Sequence, residues 1–185
     1  MVRLVRGLVV GAIVAGLSVA TAVADDSTLK VKVGDKFPDV ALNAAQVDKV
    51  PGKKVGDTVS IADLKGKNVV IFFYPKALTS GCTVESCGFR DLSAKFPKDT
   101  VLIGASADDE KLQQKFIDTN KLPYALLCDT DLKLIQSLGI QSPKGKVPQR
   151  ITFVINKDGK IAQIYTKVDV RKHPEEVLQF VESLK

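Results

Sequence analysis

The chain has one histidine, three cysteines and few aromatic residues, 6% in all, among its 185 residues. A single histidine, His173, makes a histidine-built metal centre a poor expectation. Three cysteines, Cys82, Cys87 and Cys128, are too few for a disulfide framework, and being odd in number they leave at least one thiol free or reactive. No internal repeat or low-complexity tract is present, which argues against a solenoid. The net charge of +6 comes from lysines scattered among carboxylates with no aromatic interleaving. That pattern reads as a solvated surface and not as a nucleic-acid patch.

Long apolar runs are missing too, save one at the start. Basic Met1–Arg6 leads into the apolar stretch Gly7–Val19, then Ala22-Val23-Ala24 and Asp25-Asp26. Basic, apolar, small, then acidic is the order of a secretory signal peptide cleaved after Ala24. The rival is an uncleaved anchor, for which the stretch is at the short end. No cysteine near the junction points to a lipid-anchored start. The expectation is a signal peptide over 1–24 and one domain over 25–185, in an exported (periplasmic, secreted or lumenal) compartment that permits disulfides.

Within that domain, Phe37–Leu42 and Thr58–Ile61 read as short strands on either side of a long polar loop, Asn43–Asp57. Val69–Tyr74 is continuously apolar, as expected of a central strand covered on both faces. Pro75 stops it, and residues 76–81 form a loop that runs into a helix. Ser80 is a candidate cap there, and Cys87, Leu92 and Phe96 are candidate inward positions. Val101–Ala105 is a second buried strand. Ser106 and Asp108 are candidate caps for a helix over Glu110–Thr119. Tyr124–Leu127 is a short strand, and Leu132, Ile135 and Leu138 mark a short helix ended by Gly139. Ile151–Ile155 and Lys160–Thr166 form a hairpin, and Pro174 suits the start of a last helix. The order indicates a three-layer α/β domain with a mixed sheet.

Cys82 lies where the loop after the central strand becomes a helix. Ligands of open α/β sheets bind beyond the carboxyl ends of strands. A helix N-terminus presents unpaired N–H groups and a positive dipole end, both of which favour the nucleophilic thiolate. Position alone leaves a buried inert cysteine equally open. Cys87 shifts the balance. Residues five apart in a helix have Cα atoms roughly 8–9 Å apart and point about 140° away from each other, whereas disulfides need Cα atoms within about 7 Å. The pair is a poor staple but a sensible redox couple if the helix unwinds once Cys82 is oxidised to a sulfenic acid.

These residues carry a resemblance. Pro75-x-x-x-Thr79-x-x-Cys82 matches the active-site motif of peroxiredoxins. The run from Phe73 through Glu85, Cys87 and Gly88-Phe89-Arg90-Asp91 is similar to the Q-type branch, the bacterioferritin comigratory proteins. Val33-Gly34-Asp35, Leu64-Lys65-Gly66-Lys67, Cys128-Asp129 and Arg150-x-Thr152-Phe153-Val154-Ile155 extend the match over most of the chain. The resemblance implies a thioredoxin-like fold and a thiol peroxidase acting on hydrogen peroxide and organic hydroperoxides. Cys82 is then the peroxidatic cysteine and Cys87 the resolving one. Thr79 binds the peroxide, Arg150 stabilises the thiolate and the developing oxygen charge, and Pro75 covers the pocket. Gly81 and Cys82 supply backbone N–H groups, and Glu85 orients Arg150, though as a lone helix carboxylate it could equally be solvated. The implied partner is a thioredoxin-like dithiol protein, with no cofactor and a monomeric enzyme. Ser80 in place of the branch's proline, the apolar Ala77-Leu78 before Thr79, and the long 43–57 loop depart from the pattern. The apolar pair leans toward organic hydroperoxides.

Three other readings stay open on the sequence. One is a copper site from Cys82, Cys87 and His173, although copper-delivering relatives of this architecture space their cysteines more closely. Another is a thiol–disulfide oxidoreductase, which ordinarily uses Cys-x-x-Cys. The last is a binding module with incidental cysteines. Cys128, at a strand end, is expected to be a small buried hydrophobe.

Overall fold

The computed structural model describes residues 28–184; the segment assigned to a signal peptide lies outside them. Six strands form one mixed sheet: β1 (Asn43–Ala45), β2 (Asn68–Phe73), β3 (Thr100–Ser106), β4 (Leu126–Cys128), β5 (Ile151–Ile155) and β6 (Ile161–Tyr165). Their spatial order is β1-β4-β3-β2-β5-β6. The central trio β2, β3 and β4 runs parallel, and β1, β5 and β6 join antiparallel. Among the described residues four α-helices accompany the sheet: α1 (Ser80–Leu92), α2 (Glu110–Asn120), α3 (Lys133–Leu138) and α4 (His173–Ser183). No helix among the described residues is long and apolar enough to cross a membrane.

Strand β2 is buried on both faces, and its side chains alternate between two cores. Val69, Ile71 and Phe73 point into one, shared with Leu134, Ile135 and Leu138 of α3. Val70 and Phe72, with Tyr74 just beyond, point into the other, against Phe89 of α1, Phe116 of α2 and Val177 of α4. The period-two alternation of a strand thus makes three layers: α3 with its flanking loops, the sheet, then α1, α2 and α4.

Several expected elements move. Phe37–Leu42 is not a strand; only Leu42 bridges to Val59. The ladder belongs instead to Asn43–Ala45, inside the segment read as a loop, because Ala44 and Ala45 are buried against β4. Thr58–Ile61 contributes only the Val59 bridge. The fourth strand sits slightly later than Tyr124–Leu127, at Leu126–Cys128. Helix α1 begins at Ser80, so Thr79 and not Ser80 is the capping position, and no side-chain cap forms there. Its buried face is Cys82, Glu85, Ser86 and Phe89. Cys87 is only half-buried, being one position off that stripe. Helix α2 is capped by Asp109, which accepts from Leu112 N–H at 2.8 Å, and not by Ser106 or Asp108.

Candidate active site

Cys82 is the third residue of α1 and is 1% exposed. It is placed by the parallel β2–α1–β3 unit, which puts the N-terminus of α1 at the carboxyl end of β2. The antiparallel pairing of β2 with β5 matches Phe73 with Ile151. Arg150, one residue before Ile151, therefore lies just past the end of β2, on the side where α1 begins. Its Nη2 donates to Cys82 Sγ at 3.2 Å. Its Nη1 forms an ion pair with Glu85 Oε2. A β-carbon built on Gly81 would stand 3.5 Å from Nη2, so the Gly81–Cys82 backbone lies directly against the guanidinium.

The guanidinium therefore spans two groups one helical turn apart on α1, a sulfur and a fully buried carboxylate. Burial opposes the charge of Arg150, but Glu85 and Cys82 outweigh it and raise its pKa above the ordinary arginine value. Glu85 pays the opposite cost. Burial drives its carboxyl up to about 7, against the pull of Arg150. Its second oxygen, Oε1, is buried with no partner. The planar fork of arginine fits this double contact in a way a lysine ammonium does not.

The loop between β2 and α1 has its own scaffold. Asp108 Oδ2 accepts from Ala77 N–H at 2.7 Å and from Ser106 Oγ at 2.9 Å. Ser106 Oγ also accepts from Gln113 Nε2 at 2.8 Å, and Tyr74 Oη donates to Gln113 Oε1 at 2.5 Å. This chain ties the ends of β2 and β3 to the loop. It explains why Ser106 and Asp108 do not cap α2. Thr79, exposed, donates its hydroxyl to Lys76 O at 2.9 Å. Pro75 is half-buried after Tyr74. Leu78 takes a left-handed conformation (φ 63°) and, with Val84, is exposed beside the cysteine turn. A bulky residue seldom adopts that φ, and where one does it often marks a functional loop.

One feature near Arg150 escapes a reading of the sequence. His173 is fully buried between the edges of Phe89 and Tyr165, with Nε2 2.8 Å from Thr152 Oγ1. Burial first, then the field of Arg150, pushes it down to about 4, so the ring is neutral. Nothing in the motif spacing signals this; the clue was only that His173 precedes the Pro174 of a helix start. Among the described residues no cluster of three His, Cys, Asp or Glu side chains could hold a metal ion, so Cys82, Cys87 and His173 are not brought together as a site. Cys128 is buried, and burial drives its thiol up to about 12.

Cys82 and Cys87 are both free thiols in the one unbroken helix. A buried cysteine at the first turn of a helix, with an arginine from the start of the neighbouring strand at its sulfur, is the arrangement that a thiol-dependent redox protein on a three-layer α/β fold would need. Known proteins of similar sequence give that class its family. Residues 33–164 match the AhpC/TSA family. Peroxiredoxin Bcp of Bacillus subtilis (strain 168) is 36% identical over 163 residues, covering 84% of this chain and 98% of its own. A chloroplastic peroxiredoxin Q of Suaeda salsa is 39% identical over 132 residues, covering 70% of this chain and 62% of its own. Among solved structures, the peroxidoxin BcpB of Mycobacterium tuberculosis superposes with a TM-score of 0.72 at 29% identity, over 83% of this chain and 98% of that one. The chain belongs to the AhpC/TSA family and, within it, to the peroxiredoxin Q/Bcp group; it is a thiol peroxidase with the thioredoxin-like fold.

Proposed function

We propose that Cys82 is the peroxidatic cysteine, on the strength of one observation: Arg150 Nη2 lies 3.2 Å from its sulfur at the first turn of α1. The thiolate attacks the terminal oxygen of a hydroperoxide. The O–O bond breaks, an S–O bond forms, and the leaving alkoxide or hydroxide takes a proton to depart as alcohol or water, leaving a sulfenic acid at Cys82. Arg150 is the fixed cation for the charge that builds on oxygen, and Glu85 holds its other arm. Thr79 turns its hydroxyl from Lys76 O to the peroxide, Gly81 and Cys82 offer backbone N–H groups, and Pro75 shields the loop. The exposed Leu78 and Val84 give the entrance an apolar lip suited to organic hydroperoxides as well as hydrogen peroxide.

Cys87 then resolves the intermediate. Its sulfur attacks that of Cys82, an S–S bond forms and water leaves. Both cysteines lie in one helix, so resolution needs no second chain and the enzyme acts as a monomer. A thioredoxin-like dithiol protein returns the disulfide to two thiols. The opening segment, basic then apolar then Ala22-Val23-Ala24, supports export with cleavage after Ala24.

Peroxide consumption driven by a dithiol, with disulfide mapping by mass spectrometry, tests the scheme. The expected result is a Cys82–Cys87 disulfide after one equivalent of peroxide and no turnover in Cys82→Ser. Turnover that survives Cys82→Ser, or the same intramolecular disulfide in Cys87→Ser, overturns the assignment. The mass of the N-terminal peptide from cells tests export; a chain still beginning at Met1 would contradict cleavage.

A further inference from the structure

Resolution by Cys87 requires the turn that holds it to leave the helix, and that turn is tied down from outside. Tyr124, between α2 and β4, donates its hydroxyl to the Ser86 carbonyl at 2.7 Å, a buried bond. Its ring stands edge-on to Phe72 with centroids 5.8 Å apart. Burial raises the phenol well above its ordinary pKa, so the group remains a donor. Next to it, Asn120 Oδ1 lies 3.7 Å from Cys87 Sγ, in position to accept from the thiol. The Asn120 amide is itself fixed, because Nδ2 donates to Phe116 O at 3.1 Å. Further along α1, Arg90 Nη1 donates to Asn120 O at 2.8 Å.

Behind this segment stands the loop whose purpose the sequence leaves unexplained. Gln46, from the 43–57 stretch, donates Nε2 to Leu122 O at 3.0 Å and to Tyr124 O at 3.1 Å. It holds that position in a left-handed conformation, φ 55°. Gln46, just after β1, thus braces residues 122–124, while Tyr124 holds Ser86 and Asn120 holds Cys87. When the disulfide forms, residues 82–87 must come out of helical geometry. The Ser86 carbonyl and the Cys87 thiol lie in the part that moves.

We propose that Tyr124 is a positioning residue for the resolution step: with Asn120, and braced by Gln46, it latches the Ser86–Cys87 turn in the helix and so sets how the Cys82 sulfenic acid divides between disulfide and over-oxidation. The proposal rests on Cys82 and Cys87 being the peroxidatic and resolving pair. In the latched helix the sulfenic acid is exposed to a second peroxide. That peroxide's O–O bond breaks, a second S–O bond forms and water or alcohol leaves, giving a sulfinic acid. In the unlatched helix Cys87 reaches Cys82 first, and water leaves as the disulfide closes. One buried hydrogen bond biases the helix equilibrium about fivefold.

The test is turnover with a small dithiol reductant and rising hydrogen peroxide, with the sulfinic fraction at Cys82 read by mass spectrometry. Tyr124→Phe keeps the ring and removes only the hydroxyl. The peroxide concentration that gives half sulfinic acid should rise about fivefold, and stopped-flow disulfide closure should quicken relative to Cys82 oxidation by the same factor. Gln46→Asn, too short to reach both carbonyls but tolerant of a left-handed φ, should shift both readouts the same way by less. It serves as the second variant if Tyr124→Phe does not fold. A purely structural role would lower the Tm and leave the partition where it was. If the native enzyme forms the Cys82–Cys87 disulfide and neither variant moves the partition, or both increase over-oxidation, the latch is wrong and the cysteine assignment stands. If the native enzyme forms no such disulfide, both fall together.

Discussion

Gly88 of α1 lies against Pro174 of α4 so closely that a β-carbon on the glycine would stand 2.8 Å from Pro174 Cγ. This contact lets the two helices approach, and it sets His173, the neighbour of Pro174, against Phe89. Gly88→Ala forces α4 outward, because the atom it meets belongs to a rigid ring. The expected cost is about 1–3 kcal/mol, as for other overpacked contacts, read as a lower urea midpoint. A midpoint equal to the native protein's would show that the helices have room to spare.

Arg150→Lys should lower the second-order rate of Cys82 oxidation by roughly 10²–10³-fold, the usual cost of removing a donor aimed at developing charge. A lysine reaches either Cys82 or Glu85 but cannot present two arms. Stopped-flow measurement against hydrogen peroxide decides it; a loss below about tenfold would mean that the fork is dispensable.

The stability of the protein should hide two opposed titrations. The carboxyl of Glu85 sits at about 7 against an ordinary 4.5. Its contribution is therefore complete below 4.5 and falls away as the pH rises to 7. The ring of His173 sits at about 4 against 6.5. Its contribution is complete above 6.5 and falls away as the pH drops to 4. Between pH 4.5 and 6.5 the two slopes oppose one another. Urea midpoints of Glu85→Gln should therefore rise across that window relative to the native protein, and those of His173→Gln should fall. Parallel curves for all three proteins would contradict both assignments.

Cys128, its thiol pushed up to about 12 by burial, should resist alkylation at pH 8 in the folded protein while Cys87 reacts. Cys128→Ala should keep dithiol-driven peroxide consumption within about twofold of native, since a buried thiol of this kind acts as a small hydrophobe. A larger loss would give Cys128 a part in turnover.

The residues of the chemistry are legible in the chain because they sit at fixed spacings around a sharp local event, the end of β2 and the start of α1. Cys82 and Pro75 are read from that event, and Thr79 and Arg150 from the peroxiredoxin motif built around it. Glu85 is read only through resemblance, since a helix carboxylate three residues on is ordinarily solvated, and its complete burial depends on Arg150 arriving from β5. The misplaced elements have a common cause. Asn43–Ala45 carries too few residues and too little apolar bulk to announce a strand; it becomes one because β4 offers it an edge. His173, Gln46 and Tyr124 are invisible for a related reason: each acts on a partner far away in the chain, at Thr152, Leu122 and Ser86. Spacing cannot encode a contact that only the closed sheet creates.

Arg150 stands 68 residues after Cys82 and reaches it only through the pairing of β5 with β2. During synthesis the cysteine therefore emerges long before the guanidinium that contacts its sulfur. Until the fifth strand docks, Cys82 has no guanidinium beside it and no closed wall around it. The order of the chain thus completes the surroundings of Cys82 last, and a polypeptide that stops short of β5 leaves its sulfur without them.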